Sequence, residues 1–354
     1  MSGSRKELTK KPKTYMKKII SFIALAVMVL GGVAQAEAAK KDVKVISFNI
    51  TVSNSNEENM WEKRRHAVVN MIHEERPDVV GMQEATVFQL KQLELLLDRY
   101  ELYYVARGGN NSPNECTAIA VNTRTLEIVD KGTFWLSPTP DTPSRSWSDE
   151  KTTQLELYLG GKDSQKYNRT CSWVKVRRKA DGKEFLLFNT HLEFGYHAMH
   201  GAYPEELGLM GQTAREKGVA LIAEKMQAMV GKKQAVIFCG DMNQVIGDKC
   251  FQPLWDMGMI DGRAAAKKCP SEANRNSVTW NGFKFSAPDK APTQESEEKA
   301  QGYGNFFMID HFFIKNCKAR EYRTLREKRY KNEPMPADQA YMSDHYPVML
   351  TVRF

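Results

Sequence analysis

The sequence lacks a series of features, each of which would have assigned it a chemistry. Its six cysteines form no C-x-x-C pair, which excludes zinc-ribbon and dithiol redox motifs. There is no G-x-S-x-G elbow, no G-x-x-x-x-G-K-[ST] loop and no H-E-x-x-H helix, so serine-hydrolase, P-loop and zincin chemistries have no foothold. A membrane-spanning helix needs roughly 20 apolar residues, and the longest mostly apolar run, Ile19 to Leu30, is broken by Gly31 and Gly32. No linker is rich enough in Pro, Gly or Ser to cut the chain into domains.

What stands at the N-terminus is the grammar of a secretory leader. Lys17 and Lys18 precede the apolar run, and overlapping A-x-A sites end at Ala36 and Ala38. Residues 1–38 are therefore expected to be an N-terminal extension and signal peptide, with Met16 as a second candidate start. The expected location is outside the cytoplasm, periplasmic or secreted. That segment carries a net +5 of the chain's +8, leaving about +3 for residues 39–354. A uniformly basic, polyanion-binding surface is thus not indicated, although Lys315, Lys318, Arg320, Arg323, Arg326, Lys328, Arg329 and Lys331 crowd one stretch. Export permits disulfides, and Cys250 with Cys269 is the pair favoured by proximity; Cys239, in an apolar strand, reads as a buried thiol.

Periodicity predicts alternating strands and helices. VKVISFNI (43–50) and DVVGMQE (78–84) read as buried strands around a helix at 61–77 that buries Trp61, Val68 and Ile72 and stops at Pro77. A second helix carries Val87, Leu90, Leu93 and Leu97. Strands follow at ELYYVA, TAIAVN and LEIVDKGTFWL, and Asp181-Gly182 predicts a hairpin turn between SWVKVRR and EFLLFNTHL. A helix is expected near 212–230, then strands at AVIFCGDMN, NFFMIDHFFI and YPVMLTVRF. Each half reads as a sheet with helices outside. The expected fold is a four-layered α/β sandwich: two mixed β-sheets face to face, helices on both outer surfaces, residues 39–354 forming one domain. Residues 286–304 read as a long polar loop.

Polar residues recur where these strands end: Asn49, Glu84, Asn189 with His191, Asp241 with Asn243, Asp310, and Asp344 with His345. One such residue is ordinarily a turn or cap. The same chemistry at six strand ends argues for a site, because a sheet fixes the side chains while loops leave room for a ligand. Carboxylates and amides without thiolates suit a hard cation, Mg²⁺ or alternatively Mn²⁺ or Ca²⁺. Histidines among acids suit proton transfer and stabilisation of negative charge. Together these are the requirements of phosphate-ester hydrolysis.

SFN (47–49), GMQE (81–84), NTHLE (189–193), GDMN (240–243), IDHFFI (309–314) and SDHYPV (343–348) resemble, in order, the motif series of the endonuclease/exonuclease/phosphatase superfamily. The resemblance implies that Glu84 is the principal metal ligand, with Asn49 beside it on metal or phosphate and Asp344 as a metal or hydrogen-bond partner. It implies that Asp241 activates the water, Asn243 holds a phosphoryl oxygen, and His345, oriented by Asp310, donates to the transition state. His191 would serve the leaving oxygen, and Glu115, in an Arg107…Glu115 stretch, would orient it. Departures are Glu193, where relatives often have Asp, and the insertion 194–211, whose His197 and His200 read as a solvated loop rather than a metal site. His66 and His73 read as structural, and His311 is expected to face away from Asp310.

The expected function is an exported, divalent-metal-dependent phosphoesterase using in-line attack of activated water. A small phosphoester or phospholipid headgroup is favoured over duplex DNA, because acidic Asp289, Glu295, Glu297 and Glu298 in the 286–304 loop would repel a polyanion. The alternatives are a secreted nuclease acting on DNA or RNA, and a non-catalytic binding member; the latter predicts substitutions at Glu84, Asp241, Asn243 or His345, all of which are intact. No obligate protein partner is evident.

Overall fold

The computed structural model describes residues 42–53, 59–109, 112–147, 168–194, 205–269, 279–283, 308–325 and 341–354. The leader, the His197/His200 pair, most of the insertion, the 286–304 loop and residues 326–331 lie outside them.

β1 (Asp42–Asn49) buries Val43 and Val45 on one face and Ile46 and Phe48 on the other. A strand apolar on both faces belongs in the middle of a covered sheet. α1 (Trp61–Glu75) buries Trp61, Val68 and Ile72 as the spacing predicts, and Arg76 ends it in the left-handed conformation (φ 50°) just before Pro77. The chain returns as β2 (Val79–Thr86), parallel to β1. Thr86 and Gln89 cap α2 (Val87–Leu96) reciprocally, satisfying two otherwise unpartnered N–H groups. β3 (Tyr100–Tyr103), β4 (Glu115–Asn122) and β5 (Leu126–Trp135) follow.

β6 (Thr170–Arg178) and β7 (Glu184–His191) form the expected antiparallel hairpin, Gly182 supplying the positive φ (72°) its turn requires. α3 (Glu205–Met229) begins earlier than the apolar spacing predicts and leads to β8 (Ala235–Asp241), parallel to β7. The described chain continues with α4 (Gln252–Asp256), β9 (Ile260–Asp261), β10 (Asp310–Lys315), β11 (Lys318–Thr324) and β12 (Val348–Arg353).

The strands form two six-stranded sheets, ordered β11-β12-β1-β2-β4-β3 and β5-β6-β7-β8-β10-β9. Both are mixed, with one parallel pair at each centre (β1 with β2, β7 with β8). The expectation that each half of the chain makes its own sheet is corrected: the last two strands return to the sheet begun by β1, and β5 joins the second. Val45, Val79, Phe185, Ile237, Phe312 and Leu350 fill the space between the sheets. α1 and α2 cover the outside of the first sheet through Trp61, Ile72 and Leu93. Val219, Met226, Phe251 and Leu254 cover the second. The result is the four-layered sandwich.

All six cysteines are free thiols. Cys250 packs in the outer layer of the second sheet, whereas Cys269 packs against the inter-sheet core with Sγ 3.7 Å from the Arg263 carbonyl. The expected Cys250–Cys269 pair is therefore not formed. Cys239 is a buried thiol, as its strand implies.

Candidate active site

The space between the sheets changes character along its length. Past the apolar residues it is polar: Thr117 bonds Thr170 and Ser172 at 3.0 Å, and Asn189 donates to the carbonyls of Met82 and Ala118 at 2.9 Å while accepting from Gln83 at 2.6 Å. Asn189, a strand-end candidate by sequence, is thus a clasp between the sheets rather than a group at the reaction centre. Beyond this polar layer the strand ends converge.

Register does most of the positioning. His191 pairs with Asp241 across β7 and β8, and Asp310 pairs with Asp241 across β10 and β8, so three candidate residues stand abreast on one sheet. Each lies an even number of residues from an inward-facing Asn189, Cys239 or Phe312, so all three face inward. His311 faces the other way, bonding the Gln244 carbonyl at 2.9 Å among Phe251 and Phe313. Gly240 cannot be replaced cheaply, since a Cβ there would stand 2.1 Å from the Thr190 carbonyl oxygen.

From the opposite sheet come Asn49 and Glu84. Strict alternation would put Glu84 outside with Met82. A bulge between Met82 and Ala85, with Glu84 itself in the left-handed region (φ 55°), turns it inward instead. Thr51 (φ 56°) and Asn243 (φ 47°) share this conformation, which costs about 1–3 kcal/mol per non-glycine residue. Three such residues around one cleft mark where the fold gives up stability for placement.

Asn49 Nδ2 donates to Glu84 Oε1 at 3.0 Å and to Asp241 Oδ2 at 2.9 Å. The Thr51 backbone N–H holds Asn49 Oδ1 at 3.0 Å and so fixes the amide's orientation. Asn49 thus turns N–H, not oxygen, toward the carboxylates of Glu84 and Asp241. Asp344 accepts from the hydroxyls of Thr51 and Ser343, which makes it a hydrogen-bond partner here. Buried Arg64 ties the surrounding loops together, donating to the carbonyls of Asn59, Ile50 and Met342 at 2.6–2.7 Å.

His345 Nδ1 lies 2.9 Å from Asp310 Oδ2, and its Nε2 lies 3.5 Å from Asp241 Oδ2. Burial opposes its charge, but Asp310 and Asp241 outweigh burial and raise it well above 6.5, so it is an imidazolium. His191 is its opposite. Burial, then Arg169 and Arg107, lower it well below 6.5, and it is neutral. Its Nε2 also lies 3.5 Å from Asp241 Oδ2. Asn243 bonds Asp241 Oδ1 through its backbone N–H (3.0 Å) and donates from its side chain to the Leu192 carbonyl (3.0 Å).

Glu115 does not sit on His191 as expected. Its Oε2 is 2.9 Å from Arg107 Nη2, and that same nitrogen is 2.9 Å from His191 Nδ1, so the arginine stands between them. A two-residue stretch named from spacing becomes a three-member chain. Arg169, which no sequence signal marks, pairs with buried Glu193 at 3.1 Å behind His191. Thr51 and Arg64 likewise carry no signal, since each acts through its position and not through its type.

Two groups of described residues could hold a metal ion: Glu84, His191 and Asp241, and Asp241, Asp310 and His345, with ligand atoms within 4.8 Å in each. Burial, then Glu115 and Asp344, push Glu84 up to about 7. Burial pushes Asp241 up to about 6 despite His345. Two carboxylates brought close together, Asp241 buried and Glu84 half-buried, fit a hard divalent cation, and their oxygens are the donor set such a cation prefers.

A model of the Endonuclease/Exonuclease/phosphatase family matches residues 48–345. Among solved structures, the mannosyl-6-phosphatase of Bacteroides thetaiotaomicron is similar with a TM-score of 0.67 at 25% identity, covering 88% of this chain and 100% of that one. An endonuclease/exonuclease/phosphatase family protein from the same organism gives 0.66 at 24%, covering 88% and 98%. D. rerio TDP2 in complex with a single-stranded DNA product gives 0.57 at 14%, covering 88% and 99%, a likeness of fold alone. The uncharacterized protein L388 of Acanthamoeba polyphaga mimivirus is 24% identical over 189 residues; the match spans 52% of this chain and only 59% of that relative's length.

Proposed function

The chain belongs to the endonuclease/exonuclease/phosphatase family, whose members are metal-dependent phosphoesterases or nucleases, and on that premise we propose that it is an exported phosphoesterase cleaving a compact phosphate ester by in-line attack of water. One observation carries the reading. A single carboxylate oxygen, Asp241 Oδ2, is met by Asn49 Nδ2 at 2.9 Å and by two histidine nitrogens at 3.5 Å, with Glu84 on the far side of Asn49.

Asp241 takes the proton of the attacking water, and burial, which raises it to about 6, makes it a stronger base for that task than an ordinary carboxylate. The His345 imidazolium, held at Nδ1 by Asp310, donates to a phosphoryl oxygen as negative charge builds on it. The second side-chain N–H of Asn243 holds another oxygen, while the two N–H groups of Asn49 hold Glu84 and Asp241 in place. Glu84 and Asp241 would hold the divalent cation, Mg²⁺ in this reading, which when bound supplies positive charge to the phosphoryl group.

A small phosphorylated compound is supported by the likeness to the mannosyl-6-phosphatase along that protein's whole length, and by the modest charge of residues 39–354. The test is a substrate panel with Mg²⁺: phosphorylated sugars, inositol phosphates, sphingomyelin, single-stranded RNA and DNA, and supercoiled plasmid. Turnover highest on a compact phosphoester is expected. Plasmid or single-strand cleavage with the small substrates untouched would instead make the protein a nuclease. Export is supported by the leader, and N-terminal sequencing from the native host should read from Glu37 or Ala39. Retention of residues 19–34 in a membrane fraction would refute cleavage.

A further inference from the structure

We infer that Arg107 is a positioning residue that fixes the tautomer of His191, so that this histidine presents an Nε2–H to the reaction centre and serves as a neutral hydrogen-bond donor rather than as a proton-transferring acid. A guanidinium carries only donors and does not lose its proton. With Arg107 Nη2 2.9 Å from His191 Nδ1, that ring nitrogen must offer its lone pair. A neutral imidazole has one N–H, which therefore sits on Nε2, the nitrogen facing Asp241 Oδ2 at 3.5 Å.

Arg107 is well placed to impose this. Its side chain is 3% exposed and paired with Glu115 at 2.9 Å. Its backbone carbonyl accepts from Trp135 Nε1 (2.7 Å) and Asn168 Nδ2 (3.2 Å), and its N–H bonds the Glu115 carbonyl (3.0 Å). Among the described residues the group that competes is Asn243, whose Nδ2 lies 3.0 Å from His191 Nε2. An amide N–H and an imidazole N–H cannot bond each other. Asn243 Nδ2 has two N–H groups, of which one donates to the Leu192 carbonyl at 3.0 Å; a neutral imidazole has a single ring lone pair in reach of a donor, so with Arg107 on Nδ1 the second amide N–H finds none at Nε2. Of the two donors, the charged and multiply anchored guanidinium decides.

The consequence separates the two histidines. His345 faces carboxylates at both ring nitrogens and carries a transferable proton. His191 has an arginine where His345 has an aspartate, so losing its single proton would leave an imidazolate. Its contribution to catalysis is a fixed dipole toward a phosphoryl or leaving oxygen. This consequence rests on the proposed function; the tautomer does not.

Long-range ¹H–¹⁵N NMR of the full chain, with the His191 signals assigned by their loss in His191→Gln, reads the tautomer without substrate. The expected result is a bare Nδ1 and a protonated Nε2 for His191, with both nitrogens of His345 protonated. Arg107→Lys should keep the His191 pattern, being also donor-only, and stay within about tenfold of the parent kcat. Arg107→Gln should give mixed tautomers and lower kcat by about 10²-fold, the scale of one lost transition-state donor, with KM changed less. Should Arg107→Gln fail to fold, the parent spectrum still decides. A protonated Nδ1 on His191, or an unchanged spectrum in folded Arg107→Gln, would overturn the inference. The predicted spectrum in a protein with no turnover would sustain it and sink the proposed function instead.

Discussion

At the scale of single residues the site is a balance of charges that burial alone would forbid. Glu84 illustrates it. Its pKa of about 7 in the folded chain, against an ordinary 4.5, means the native state holds a proton over that interval that the unfolded chain has released. The Glu84 contribution to the stability of the metal-free protein should therefore be full below pH 4.5, fall as pH rises toward 7, and level off above it. Millimolar Mg²⁺ should restore the loss at pH 7.5 and do little at pH 5, because the cation must displace that proton. Thermal unfolding at the two pH values, with and without Mg²⁺, checks this; equal stabilisation at both would show that Glu84 is not the group concerned. For the proton-transfer residues, Asp241→Asn and His345→Ala should each lower kcat by about 10²–10⁴-fold, with His345→Ala also losing stability because Asp310 is left buried without its partner. Near-normal kcat in either would remove that residue from the mechanism.

At the scale of elements the question is how strands on opposite sheets keep their ends in register. Asn189 spans the sheets with three bonds, two of them to backbone carbonyls of β2 and β4. Asn189→Ala leaves buried acceptors without a partner at about 1–3 kcal/mol each, so urea unfolding should show a loss of about 3 kcal/mol with the slope unchanged. A loss within about 0.5 kcal/mol, the ordinary range of a surface change, would contradict the clasp. This element was visible in the sequence as NTHL but assigned to the chemistry, because type and spacing cannot say whether an inward-facing amide ends before the cleft or in it. Asp241 and Asp310 are legible because strands expose their ends in a regular way, whereas Glu84 and His345 are legible by type, the inward turn of Glu84 depending on the bulge between Met82 and Ala85. The return of β11 and β12 to the first sheet was not, since that pairing is set by contacts between opposite ends of the chain. Arg107 could be named from its spacing to Glu115. Its place between Glu115 and His191 depends on the packing of Trp135 and Asn168, which spacing does not encode.

At the scale of the whole molecule, two sheets with one parallel pair at each centre bring their polar strand ends to one side of the sandwich. The apolar core between the sheets holds them together, and the polar layer beyond it aims the side chains. The central claim is that the two neighbouring carboxylates there, half-buried Glu84 and buried Asp241, make hydrolysis depend on a divalent cation. The most direct measurement is phosphate release by chelator-stripped protein titrated with Mg²⁺, run beside Glu84→Gln. Release should be absent without metal, recover in the parent with added Mg²⁺, and need far more Mg²⁺ in Glu84→Gln. Undiminished release in excess chelator, or an identical Mg²⁺ dependence in the variant, would contradict the account.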